Sequence, residues 1–209
     1  MANTTSQTPV EESFTLAGYV LKVFLWVIPS FFFWYFTAAI FCFPAIFLAD
    51  LILPHLMPSI ITAVEQHGFV ADVVTELDVR NAKGLSGQLV FSINALKYAY
   101  GFPLLFAMTI ATNKSVYNKL DTLTYGFIIL IFSQTWSLCF EALSTLLLKL
   151  GGDNFQTITQ TIPLYSDAWV LNGIALGYQL GFLILPAVVP IVFWVLRHQD
   201  FLNMIARRK

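Results

Sequence analysis

Charge is what this chain has least of. Only 11% of its 209 residues are Asp, Glu, Lys or Arg, against about a quarter in an ordinary soluble domain. With 57% hydrophobic residues and a mean hydropathy of +0.73, that deficit excludes a water-soluble globule and assigns the chain to the polytopic integral membrane proteins. A net charge of −1 offers no basic surface of the kind nucleic acids require. Cysteine is nearly absent too: Cys42 and Cys139 both lie inside apolar stretches, so no disulfide framework and no zinc spacing is expected. The N-terminal stretch MANTTSQTPVEES contains no Lys or Arg. It lacks the basic flank of a cleaved secretory signal, and the first span is expected to be retained. Hydrolase signatures are missing, with neither GxSxG nor HExxH present. No catalytic residue, cofactor or metal set is therefore expected.

Aromatic residues are abundant, with 20 Phe, 8 Tyr and 5 Trp, types enriched in spans and at their interfaces. From Leu16 to Leu53 the chain is almost continuously apolar. As one helix this stretch would reach about 57 Å, against a hydrocarbon core of about 30 Å. Its middle has no Gly, Asn or Asp to turn on, and Pro29 and Pro44 are its only breakers. The expectation is one span over about 17–40, leaving the bilayer near Pro44, then an amphipathic interfacial helix over about 44–58. Further spans are expected over about 96–112, 123–150 and 170–196. The whole chain, 1–209, reads as a single membrane domain with four transmembrane helices.

Between the first two spans the pattern changes. In FVADVVTELDV, Phe69, Ala71, Val73, Leu77 and Val79 alternate with Asp72, Glu76 and Asp78, the period of a half-buried strand. ITAVEQ precedes it across His67-Gly68, a hairpin turn, and QLVFSIN follows RNAKGLSG. A three-stranded antiparallel β insert over about 60–94 is expected. So small a sheet needs a helix or a partner to cover its apolar face. Its acidic row Asp72, Glu76 and Asp78 reads either as a solvated strand face or as a contact for a basic partner. His55 and His67 have no second ligand at a metal spacing.

Basic residues orient the spans. Lys114, Lys119, Arg197, Arg207, Arg208 and Lys209 fall at one set of ends, and the loop from Gly151 to Trp169 has none. The positive-inside rule favours N-in and C-in, with the insert on the extracytoplasmic side.

Two polar pairs stand out within spans. Gln134 and Glu141 lie seven apart on the third, and Asn172 and Gln179 seven apart on the fourth. Facing each other, they would form a polar track between helices. Glu141 reads either as a relay or partner-binding carboxylate or as a structural acid near the outer boundary, with Lys149 placed to reach back towards it. Gly173, Gly177 and Gly181 form a GxxxGxxxG row, a face for close helix packing.

The junction INALKYAYGFPLLFAMTIAT resembles the matching segment of exosortase H-associated membrane proteins, through Asn94, Tyr100, Gly101, Pro103 and Leu104. The resemblance implies an accessory role in protein sorting at a bacterial inner membrane, with a sorting transpeptidase as partner, and supplies no catalytic residues. Cys139 has no Cys-Ser-Gly surroundings of its own, so the chain does not read as the transpeptidase. The leading expectation is a non-enzymatic accessory protein that contacts its partner through Asp72, Glu76, Asp78, Tyr98 and Tyr100. The alternative is a small proton-coupled transport component using the polar track.

Overall fold

The computed structural model describes residues 16–80 and 86–199. In chain order the elements are α1 (Leu16–Phe36), α2 (Ala38–Leu56), β1 (Ile61–His67), β2 (Val70–Arg80) and β3 (Ser86–Asn94). A 3-10 turn, Ala95–Tyr98, leads to α3 (Gly101–Ile110). Next comes α4 (Val116–Ser144), extended by a π-helical turn, Thr145–Lys149. The chain closes through α5 (Gly152–Thr161), α6 (Ala168–Gln179), a second π turn (Leu180–Ile184) and α7 (Leu185–Arg197). Four helices are long and apolar enough to cross a membrane: Leu16–Phe36, Ala38–Leu56, Val116–Lys149 and Ala168–Arg197.

The number of long helices matches the expectation, but the set differs. The stretch expected as one span and an interfacial helix at 44–58 is two long helices, broken at Thr37 and not at Pro44. The Thr37 N–H is shared between the Phe33 and Trp34 carbonyls at 3.2 Å each, and its hydroxyl donates to Phe33 O at 2.7 Å. That side-chain bond competes with the helical ladder and opens it for one residue. Pro29, Pro44 and Pro54 all sit inside helix. An internal proline loses one backbone bond, which is less costly than leaving a whole turn unpaired in an apolar surrounding. The expected second span, 96–112, holds only the ten-residue α3, roughly 15 Å long and too short to span alone.

The three-stranded antiparallel sheet runs β1-β2-β3. Val64 pairs with Val73, and Ala71 with Ile93. Gly68, with φ +66°, turns the first hairpin, where a side chain would be strained. As the alternation predicts, Ala71, Val73 and Leu77 are buried while Glu76 and Asp78 are exposed. Phe69 is half-buried; the side chain of Val79 lies outside the described residues. A bulge falls between Val74 and Asp78. There the buried Thr75 hydroxyl donates to Leu89 O at 2.8 Å, holding the ladder across the irregularity.

The sheet's apolar face is covered by this chain's own α2. Asp50 Oδ1 accepts the Val64 N–H at 2.7 Å, and Gln66 Nε2 donates to Ala39 O at 3.0 Å. On the other side of the bundle, Tyr19 Oη donates to Met108 O at 3.0 Å and Phe33 stacks on Phe106, tying α1 to α3. Tyr165 Oη donates to Leu56 O at 2.8 Å, fastening the α5–α6 connection to the end of α2. At the opposite end of α4, Arg197 pairs with Asp121.

Of the glycine row, Gly177 and Gly181 are buried against α4, whereas Gly173 is exposed with nothing near its missing side chain. A Cβ on Gly177 would run into the Phe140 ring. Gly177→Ala is expected to lower stability by about 1–3 kcal/mol, the usual range for overpacking. Combined with Phe140→Leu it should cost less than the sum of the two single changes. Thermal unfolding of the four variants of that cycle in detergent checks this; strict additivity would mean that the ring does not set the α4–α6 approach.

Candidate functional site

The densest polar chemistry of the chain lies where the sheet returns to the helices. Asn94 ends β3, and its Oδ1 accepts the Leu96 N–H at 3.0 Å, capping the 3-10 turn. The Ala95 N–H donates to Phe69 O at 3.0 Å, so the turn is anchored to the first hairpin. Lys97 and Tyr98, side by side on this turn, both reach Glu141 on α4. Lys97 Nζ is 2.5 Å from Oε1, and Tyr98 Oη donates to Oε2 at 2.5 Å. Each carboxylate oxygen thus has its own donor. Glu141 is 6% exposed and Tyr98 3%, while the Lys97 side chain keeps a third of its surface open.

A carboxylate removed from water costs several kcal/mol unless paired and hydrogen-bonded, and here it is both. Burial first, then the hydrogen bond and charge of Glu141, pushes the Tyr98 phenol above its ordinary range. Tyr98 therefore remains a neutral donor. Its ring packs edge-on against Phe182, which stacks on Tyr178, carrying the cluster across to α6 and its π turn. Lys149 does not reach Glu141, contrary to the sequence expectation. Its Nζ lies 4.4 Å above the Tyr178 ring, held by a cation–π contact.

The expected polar track is not assembled. Gln134 is 1% exposed and donates to Ala95 O at 3.2 Å and to Cys42 Sγ at 3.4 Å. It thereby ties α4 to the 3-10 turn and to α2. Asn172 and Gln179 are exposed. Gln179 is two residues from the buried Gly177, roughly 200° around the helix, so it points away from α4. What faces α6 from α4 is Trp136, whose Nε1 donates to Gly177 O at 3.3 Å, and Ser137, whose Oγ donates to Gly181 O at 3.0 Å.

The residues expected to meet a partner also divide. Asp72 accepts from Ser92 Oγ at 2.6 Å and lies 2.8 Å from His67 Nδ1. Glu76 and Asp78 are exposed and Tyr100 is half-buried. Tyr98 is not a surface contact; it is engaged with Glu141. Among the described residues, no group of three or more His, Cys, Asp or Glu side chains is placed to hold a metal ion. Lys97 is the residue that sequence reasoning missed. It is 44 positions from Glu141, and no local periodicity links the two.

The pairing makes a thermodynamic statement. Lys97→Met leaves the buried carboxylate short of a partner and is expected to cost about 3 kcal/mol or more. Adding Glu141→Gln removes the stranded charge, so the double variant should be more stable than Lys97→Met alone. Detergent unfolding of the single and double variants reads this, and a double variant no better than the single one would discount the ion pair.

The junction also accounts for the short motif Asn94…Tyr100-Gly101-x-Pro103-Leu104. Asn94 is the cap, and a Cβ on Gly101 would sit 2.8 Å from the Pro186 carbonyl. Pro103 falls in the first turn of α3, where its missing N–H has no helical partner to lose. No curated protein and no solved structure matches this chain. The family model described as exosortase H-associated membrane protein matches residues 13–201. The chain belongs to that family of membrane proteins associated with exosortase.

Proposed function

We propose that this chain is a non-enzymatic accessory protein of the bacterial inner membrane, which presents its sheet on the extracytoplasmic side to a sorting transpeptidase of the exosortase type or to that enzyme's substrate. The observation that carries the reading is the mounting of the sheet. Its apolar face is covered by α2, and its far end is pinned to α4 through Glu141. The acidic face with Glu76 and Asp78 is left exposed on a sheet tied to two helices. A docking surface held this way avoids much of the ordering cost that a flexible loop incurs on binding. N-in and C-in orientation, with the sheet outside, is supported by the cationic end of the bundle. Lys119 donates to Ile110 O and Arg197 pairs with Asp121 there, in keeping with the positive-inside rule. Tyr19 at the start of α1 stacks on Trp194 near that end, and Leu56 at the end of α2 meets Tyr165. α1 and α2 therefore run in series in one direction and count as a single crossing before the sheet.

Tagged chain, co-expressed with the transpeptidase and extracted in mild detergent, is expected to retain it. Glu76→Lys with Asp78→Lys should reduce the co-purified enzyme at least several-fold, because like charge set against a basic partner surface disfavours the complex. Retention undiminished by the double charge reversal would rule out the acidic face as the contact. Failure of the intact chain to retain the enzyme would count against the accessory role itself.

A further inference from the structure

The exposed face of α6 and of the π turn that follows it carries two amides among its apolar side chains. Trp169, Asn172, Leu176, Gln179 and Leu183 follow one another at spacings of 3 and 4, and all are exposed. Trp169 is 85% exposed, Leu176 59% and Leu183 64%. That is also the spacing of the a/d seam along which two helices pack. Gly173 lies beside it with open space where a side chain would be, leaving a notch in the surface. The remaining glycines of the row, Gly177 and Gly181, face inward against Phe140 and Ser137 and are not part of this seam.

Two amides on such a face need partners. Gln179 is about 17 Å from the start of the helix at Ala168 and about 27 Å from its end at Arg197, which places it inside the span. Neither amide has a hydrogen-bond partner among the described residues. In hydrocarbon an amide without one is costly, and interhelical amide bonds are a recognised glue between spans.

We propose that the seam is the contact with a second copy of this chain, in a parallel two-fold pair. Copies inserted the same way present Asn172 to Asn172 and Gln179 to Gln179 at equal depth. An amide is donor and acceptor at once, so each pair closes on itself. A different protein would need its own polar groups at both depths to do the same. The pairing is independent of the acidic face of the sheet, and its failure would leave the accessory reading standing.

Single cysteines at Leu176 and Leu183, with Phe43→Cys on the exposed side of α2 as control, are oxidised in native membranes. The buried Cys42 and Cys139 are monitored in the parent chain. Disulfide-linked dimer is expected at 176 and 183 and not at 43. Adding Asn172→Leu and Gln179→Leu should cut that yield at least five-fold. The mass of the unmodified chain in lipid nanodiscs supplies a second reading, expected at two copies. The proposal is overturned by a one-copy mass with no dimer above the Phe43→Cys control. It is equally overturned by cross-links only to a chain of different mass, or by a dimer yield that the two leucines leave unchanged.

Discussion

A single buried carboxylate decides how the two halves of this molecule are joined. Glu141 lies on the longest helix, at the level where the sheet hands the chain back to the bundle. Among the described residues its partners are groups from that hand-over, Lys97 and Tyr98. The sheet could not keep its own shape or place without such a fixing, because three short strands have too little core to be stable alone. The cover from α2 adds burial and two hydrogen bonds, Val64 N–H to Asp50 and Gln66 to the Ala39 carbonyl. The two short charge-assisted bonds to Glu141 fix the end of β3 to α4 as well.

The same logic, polar side chains serving the interior, recurs along α4. Thr135 donates to its own helix at Ile131 O, with Ala45 O on α2 at 3.4 Å. Gln134 reaches Ala95 O, and Ser137 reaches Gly181 O inside the second π turn. That turn precedes Pro186, which has no N–H to return to the Phe182 carbonyl. Irregular backbone survives at such depth where neighbouring side chains satisfy it. The polar row that draws the eye in the sequence is thus mostly a set of fasteners for proline-disturbed helices. Its two members with long reach, Gln134 and Glu141, both serve the junction with the 3-10 turn.

Much of this was legible in the residues. Composition alone identifies a membrane chain, and the alternation in FVADVVTELDV places β2 within one residue of its observed start. These signals are local, and local periodicity survives tertiary packing. What escaped depends on partners distant in sequence. The Lys97–Glu141 pair joins positions that no repeat relates, and Lys149, nearer along the helix, is the natural but incorrect partner. The break at Thr37 has no glycine or proline to announce it; a threonine hydroxyl turned onto the preceding carbonyls is enough. Seven-residue spacing correctly put Asn172 and Gln179 on one face. It did not say which face, because an apolar helix with glycines on one side and leucines on the other can bury either.

The junction and the exposed seam of α6 are mechanically close. Phe182 packs against Tyr98, the donor to Glu141, and also against Tyr178 beneath Lys149. Its neighbour Leu183 is exposed on the seam. A helix pressing on Leu183 therefore bears on the same π turn that carries Phe182. The displacement has a short path, through two aromatic rings, to the residue that orients the sheet. Close-packed interiors pass such shifts on because they have little room to absorb them. The contact proposed in the plane of the membrane and the one proposed at the sheet's acidic face involve different residues, yet both sites adjoin one buried hub. That hub is the reason to treat the bundle and the sheet as one device, and it rests on Glu141.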